Sequence, residues 1–216
     1  MLQRDRRVLL LGPPGSGKTT LAAGLARWLA AQGRQVSAIA ADPGSPGFGV
    51  PGAVCLGQWC DGLWSCHALQ ALCTLDAARF RLPLAGAVAS LAHTVEGGTL
   101  LVDAPGVVRG VAGAELLDAL VRAAAVDLVL VLQRPGQQLH LIGELGGLGV
   151  QVVLVQPCEG ARATGQASRA RARTRHWDQY LAAARGHWIP FDGLRLVGTP
   201  PRRAPEVSAR ASTRQA

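Results

Sequence analysis

Residues Gly12 to Thr19 read GPPGSGKT, the spacing G-x-x-x-x-G-K-[ST]. In such a loop the backbone N–H groups turn inward around a phosphate, the lysine reaches the β and γ oxygens as a compact point charge, and the last hydroxyl ligates Mg²⁺. Gly12, Pro13, Pro14, Gly15, Ser16, Gly17, Lys18, Thr19 and the adjoining Thr20 therefore form the candidate nucleotide site. Lys18 is the only lysine in the chain, which suits a position that needs that side chain and no other.

Two carboxylates follow apolar runs and enter turns. Asp42 opens ADPGSPGFGVPG and Asp103 sits in LLVDAPG. At the carboxyl edge of a sheet beside a phosphate loop, either could hold Mg²⁺ through water or take a proton from an acceptor hydroxyl. The ordinary alternative for each is an aspartate that caps its own turn. Asp103-Ala-Pro-Gly106 also has the form D-x-x-G of nucleotide switches, but the guanine-reading N-K-x-D is missing: the later run Val150 to Val155 leads into Gln156-Pro157-Cys158-Glu159.

Farther along, SRARARTRHWDQY puts arginine at positions 169, 171, 173 and 175. On a helix, Arg169 with Arg173 and Arg171 with Arg175 form two i, i+4 pairs able to clamp phosphates, the alternative being a solvated basic face.

These residues need a frame. Val8 to Leu11, Gln35 to Ala41, Thr99 to Val102, Asp127 to Leu132 and Val150 to Val155 are apolar runs without alternation, as strands buried on both faces are. Helical spacing over Lys18 to Ala31, Leu84 to Thr94 and Ala114 to Ala125 separates several of them, and 167–185 is an arginine-rich helix. The alternation predicts an α/β fold of the P-loop NTPase type, with a mostly parallel central sheet, helices on both faces and an arginine-rich lid helix. Glycines at 143, 146, 147 and 149 weaken any helix near them, Trp188 to Val197 is a candidate last strand, and the organisation expected is one domain over 1–198, with its lid at about 160–185, and a basic disordered tail over 199–216.

The chain has 216 residues, enough for one domain with a real core, and no run of eighteen apolar residues, so a soluble, cytoplasmic protein with no membrane contact is expected. Its formal charge is +8, and residues 151–216 carry 11 arginines against 4 acids, a basic end able to meet a polyanion. Of five cysteines, Cys55, Cys60, Cys66 and Cys73 fall in one segment, but without paired C-x-x-C knuckles they read as free thiols of a reducing compartment rather than a zinc site.

Taken together, the motifs resemble those of the polynucleotide 5′-hydroxyl kinase family, which includes the kinase subunit of eukaryotic pre-mRNA cleavage complexes and the pre-ribosomal-RNA processing kinases. The resemblance covers about residues 6 to 198. Its D-x-G-Q and P-P-G turns match Asp42-Pro43-Gly44-Ser45 and Val50-Pro51-Gly52; its substrate clasp T-x-G-W-V-K-G matches Ala104-Pro105-Gly106-Val107-Val108-Arg109-Gly110; its lid ending R-x-[FW]-x-x-Y matches Arg175 to Tyr180. Ser45, Ala104 and Val107 replace the family's glutamine, threonine and tryptophan.

The resemblance implies ATP and Mg²⁺ as cofactors and the 5′-hydroxyl end of single-stranded RNA or DNA as acceptor. It further implies Lys18, Asp42, Arg171 and Arg175 as catalytic groups, with Asp42 as base, and Thr19, Asp42 and Asp103 around the metal. Pro105, Gly106, Val107 and Arg109 correspond to the clasp. Three other readings stay open: a GTPase or ATPase switch that assembles metals or complexes, a small-metabolite kinase, and an adaptor that binds nucleotide without transferring phosphate.

Overall fold

The computed structural model describes residues 6–134, 136, 141–188, 190 and 192. Its contacts divide the chain into Met1–Ala183 and Ala184–Ala216, and the architecture below belongs to the first unit. The strand expected over 188–197 and the tail over 199–216 lie almost wholly outside the described residues.

The elements follow the order β1 (Arg7–Leu11), α1 (Lys18–Ala30), β2 (Val36–Ala40), β3 (Ala53–Cys60), β4 (Leu63–Ala71), α2 (Arg81–His93), β5 (Thr99–Asp103), α3 (Gly110–Ala123), β6 (Leu128–Leu132), α4 (Ile142–Gly146), β7 (Gln151–Val155) and α5 (Gln166–Leu181). Among the described residues the strands form one sheet in the order β4-β3-β2-β5-β1-β6-β7. Strand β1 lies parallel between β5 and β6, β2 is parallel to β5, and β7 is parallel to β6. The mostly parallel α/β fold read from the sequence is the fold observed.

Side chains alternate across a strand, so each buried strand feeds two cores. Leu9, Leu11, Ile39, Leu100, Val102, Val129 and Val131 pack on one face with Leu84, Val88 and Leu91 of α2 and Leu116, Leu117 and Leu120 of α3. Val8, Leu10, Val36, Ala38, Ala40, Leu101 and Leu128 pack on the other with Ala22, Ala26 and Leu29 of α1. This double burial explains why the runs of β1, β2, β5 and β6 show no period of two. It also holds the carboxyl ends of β1, β2 and β5 side by side, since Leu10 pairs with Asp103 and Asp103 with Ala40. Strand β7, expected to be buried on both faces, is instead an edge strand with Val153 and Leu154 exposed, because nothing pairs beyond it among the described residues.

Strands β3 and β4 form an antiparallel hairpin on the β2 side, an element the apolar runs did not predict. Its turn is Asp61-Gly62, with φ of 51° and 82°. Two consecutive positive φ values characterise the two-residue turn that matches strand twist, and Asp-Gly is a pair that adopts it readily. Trp59 and Trp64 face each other beside the turn, edge to face with centroids 4.9 Å apart, and Phe48 stacks on Trp64 at 5.4 Å. Three of the four clustered cysteines fall in this hairpin, where Cys55 is buried and Cys60 and Cys66 are exposed. No described helix is long and apolar enough to cross a membrane.

Candidate nucleotide site and adjoining cleft

From the end of β1 the chain turns through Gly12 to Gly17 into α1. Gly17, the residue before the helix, has φ 93°, and Gly15 has φ 76°, conformations that L side chains rarely adopt. Space enforces the glycines too. A Cβ on Gly12 would lie 2.7 Å from Ser16 Oγ and 2.8 Å from the Leu132 carbonyl, and one on Gly15 would lie 2.2 Å from the amide nitrogen of Ala163. The segment before α5 therefore lies directly on the phosphate loop.

Lys18 is buried, and its Nζ donates to the carbonyls of Gly12 at 2.9 Å and Pro13 at 3.2 Å. Burial lowers its pKa from the ordinary value, against the opposing pull of Asp103 and then Asp42. Thr19 Oγ1 donates to Asp103 Oδ2 at 2.6 Å. Asp103 is 7% exposed, and burial pushes its carboxyl up to about 6 although the Thr19 hydroxyl and Lys18 favour the charged form. Asp42 accepts the amides of Gly44 at 2.9 Å and Ser45 at 3.2 Å, both at Oδ1, so the turn-capping role is present. Burial raises its pKa, with the Gly44 amide and Lys18 opposing.

A cleft of about 1050 Å³ opens over these residues. Pro14 to Thr20 line its floor, with Asp42 and Asp103 at one side, while Gly12 and Pro13 lie beneath and present their carbonyls to Lys18. Leu132 and Val155 to Cys158 line the side fed by β6 and β7. The side-chain fit to an anion is direct: Ser16 lines this cleft, and its hydroxyl is the one buried side-chain polar atom without a hydrogen-bond partner among the described residues. A buried polar atom that lacks a partner indicates a missing ligand or water.

The lid helix enters the cleft with a different pair from the one expected. Arg169 and Arg173 line it, and Arg173 donates to the Gly44 carbonyl at 3.2 Å, whereas Arg171 and Arg175 are exposed and do not line it. At 3.6 residues per turn, positions two apart point about 200° from each other. The two arginine pairs thus occupy opposite faces of α5, and only one can meet the cleft.

A second cleft, of about 600 Å³, adjoins the first. Pro14, Asp42 and Leu75 line both. Pro105, Gly106 and Val107 form one wall of the second cleft, and Thr74 to Ala77, the turn after β4, form the other. A Cβ on Gly106 would lie 2.6 Å from the Pro14 ring, so the clasp segment touches the phosphate loop. Arg109, the N-cap of α3, is exposed and does not line the cleft. Sequence reasoning missed the Thr74 to Ala77 wall. Its signal was the Thr74-x-Asp76 turn, in which the Asp76 amide donates to Thr74 Oγ1 at 3.1 Å.

Comparison with known proteins meets this geometry. The model of the mRNA cleavage and polyadenylation factor CLP1 P-loop matches residues 81–183, and the model of a novel STAND NTPase matches residues 1–45. The chain is 24% identical over 205 residues to a polyribonucleotide 5′-hydroxyl-kinase of Pyrococcus furiosus, an alignment that covers 92% of this chain and 57% of that protein. The family resemblance is borne out. Among solved structures, the wild-type Clp1p–Pcf11p complex superposes with a TM-score of 0.71 at 18% identity, over 82% of this chain and 49% of the matched one. A second structure, described as the extended Pcf11p–Clp1p interface with the basis of ATP loss in a Gly135Arg mutant, gives 0.65 at 16% identity with the same coverage. The chain thus has a Clp1-type P-loop fold and spans about half the length of the relatives it matches.

Proposed function

We propose that this chain is a P-loop kinase that transfers the γ-phosphoryl group of ATP to the 5′-hydroxyl end of RNA or DNA. Asp42 carries the reading: it is shared by a nucleotide-sized cleft over the phosphate loop and by a second cleft bounded by the clasp segment. An in-line transfer needs a donor and an acceptor meeting at one carboxylate, and that is where two such clefts would bring them. The relation to a polyribonucleotide 5′-hydroxyl-kinase supports the choice of acceptor.

In this proposal the amides of Gly15 to Thr19 and the Ser16 hydroxyl hold the donor phosphates, and Lys18 exchanges its loop carbonyls for phosphate oxygens. Arg169 and Arg173 neutralise charge on the group in flight, in place of the expected Arg171 and Arg175. Asp42 keeps Oδ1 in its turn, has no second hydrogen-bonded oxygen among the described residues, and takes the proton of the acceptor hydroxyl. Its raised pKa makes it a better base than an ordinary carboxylate. The acceptor oxygen forms a bond to the γ-phosphorus, the bond to the β,γ-bridging oxygen breaks, and ADP leaves. Thr19, Asp103 and Asp42 are the residues that would hold Mg²⁺, whose chemistry there is to offset phosphate charge.

The test is transfer of labelled γ-phosphate from ATP with Mg²⁺ to 5′-hydroxyl oligonucleotides, RNA and DNA in parallel, with Lys18→Ala as control. Label that depends on Lys18 supports the kinase. A second reading, a nucleotide-gated adaptor, is favoured by the packing of Gly106 of the D-x-x-G segment on Pro14. It requires Lys18-dependent nucleotide binding or hydrolysis with no labelled oligonucleotide, and that outcome would displace the kinase.

A further inference from the structure

The second cleft carries an unusual charge layout for a polyanion site. Its charged lining is two carboxylates, Asp42 and Asp76, with no arginine among its walls. The nearest arginines in sequence follow the two walls. Arg79 follows Asp76 by one turn, and its amide donates to Asp76 Oδ1 at 3.1 Å, so the turn fixes where that arginine begins. Its guanidinium is exposed and has no ion-pair or hydrogen-bond partner among the described residues, whereas nearby Arg81 is held by Glu115 at 2.7 Å. On the opposite wall Arg109 lies two residues beyond Val107, also exposed. The Arg81–Glu115 pair links α2 to α3, and so ties the two walls at their basic ends.

A cleft whose charged lining is acidic, with an exposed arginine following each wall in sequence, matches a nucleic-acid end whose first group is neutral and whose next is a phosphate. We propose that the turn after β4 selects the acceptor end by charge: Asp76 excludes a 5′-phosphorylated end from the second cleft, and Arg79 binds the first internucleotide phosphate. The inference rests on the kinase reading and adds two specificity residues to it. The product of transfer carries a new dianion against Asp42 and Asp76, so the same layout speeds its release. Arg79 supplies a phosphate contact that salt weakens.

The test is equilibrium binding, read by fluorescence anisotropy with 3′-labelled hexanucleotides, a non-hydrolysable ATP analogue and Mg²⁺. Three probes are compared: a 5′-hydroxyl strand, its 5′-phosphorylated form, and a 5′-hydroxyl strand with a neutral methylphosphonate as first linkage. The wild-type chain binds the 5′-hydroxyl strand about tenfold more tightly than the phosphorylated one. Asp76→Asn, which keeps the turn cap, narrows that preference about fivefold by tightening the phosphorylated strand alone. Arg79→Gln weakens the natural 5′-hydroxyl strand about fivefold and leaves the methylphosphonate strand unchanged.

No wild-type preference, no binding, or variants that shift all three probes alike would overturn the inference. If this pattern holds while no label moves from ATP, the selection stands and the kinase falls. If label moves and the pattern is absent, the kinase stands and the selection falls.

Discussion

Asp103 is buried at a cost to the fold, and Asp103→Asn measures that cost. Burial raises its carboxyl from 3.8 to about 6. At about 1.4 kcal/mol for each pH unit, holding it ionised costs the folded, ligand-free chain about 3 kcal/mol near neutral pH. The sign follows from proton counting: between about pH 4 and 6 the folded chain binds more protons than the unfolded one, so stability falls as pH rises through that window. Asparagine keeps an oxygen for the Thr19 hydroxyl and removes the titration. Because the unfolded carboxyl is already more than half ionised at pH 4, about 2 kcal/mol of this cost develops between pH 4 and 7.

The expected result is therefore a variant whose stability relative to wild type improves by about 2 kcal/mol between pH 4 and 7, or about 4–8 °C in Tm for a chain of this size. Thermal unfolding without nucleotide or metal, at several pH values, is the assay. Any constant cost of the asparagine cancels from the pH dependence. A difference between the two proteins that stays flat across the window, or shrinks as pH rises, would refute the reasoning.

Asp42→Asn retains both turn hydrogen bonds and loses the base, so transfer should fall by about 10² to 10⁴ while ATP affinity by calorimetry is kept; full turnover would mean another group takes the proton. Arg169→Gln or Arg173→Gln should lower kcat/KM by about 10² or more, and Arg171→Gln or Arg175→Gln by less than about threefold, the reverse order being the result that contradicts the lid geometry. Gly106→Ala drives a methyl to 2.6 Å from the Pro14 ring, and should cost about 1–3 kcal/mol of stability and weaken nucleotide binding together. If nucleotide affinity is untouched there, the clasp and the phosphate loop are not mechanically linked.

Strands β1, β2, β5 and β6 and helices α1, α2 and α3 were legible because burial on both faces of the sheet leaves unbroken apolar runs. Strand β7 was legible from its apolar composition although it is an exposed edge strand, and α4 was not, since it overlaps the glycine-rich stretch over 143–149. The hairpin was not legible either, since AVCLGQWC and LWSCHALQA mix cysteine, glycine and polar residues, and although Ala53 to Leu56 of β3 are buried on both faces, β4 at the edge of the sheet is mostly exposed. Its one sharp signal was Asp61-Gly62. At the site, the phosphate loop was legible down to single residues because each glycine answers a backbone demand. The lid was legible as a helix but not in its rotation about its own axis, which depends on which face meets Gly44 and cannot be read from alternating arginines. The Thr74 to Ala77 wall escaped for a related reason, as it belongs to a turn whose neighbour, Val107, is far away in sequence.

The Asp61-Gly62 turn also has a practical side. Both residues are exposed, the turn lies at the far end of the hairpin from Asp42 and Leu75, and the two tryptophans beside it brace the strands independently of what joins them. A peptide tag or a single reporter residue spliced between Asp61 and Gly62 would sit outside the chemistry while remaining rigidly linked to the sheet, which makes that turn the handle by which to immobilise or label this molecule in the assays above.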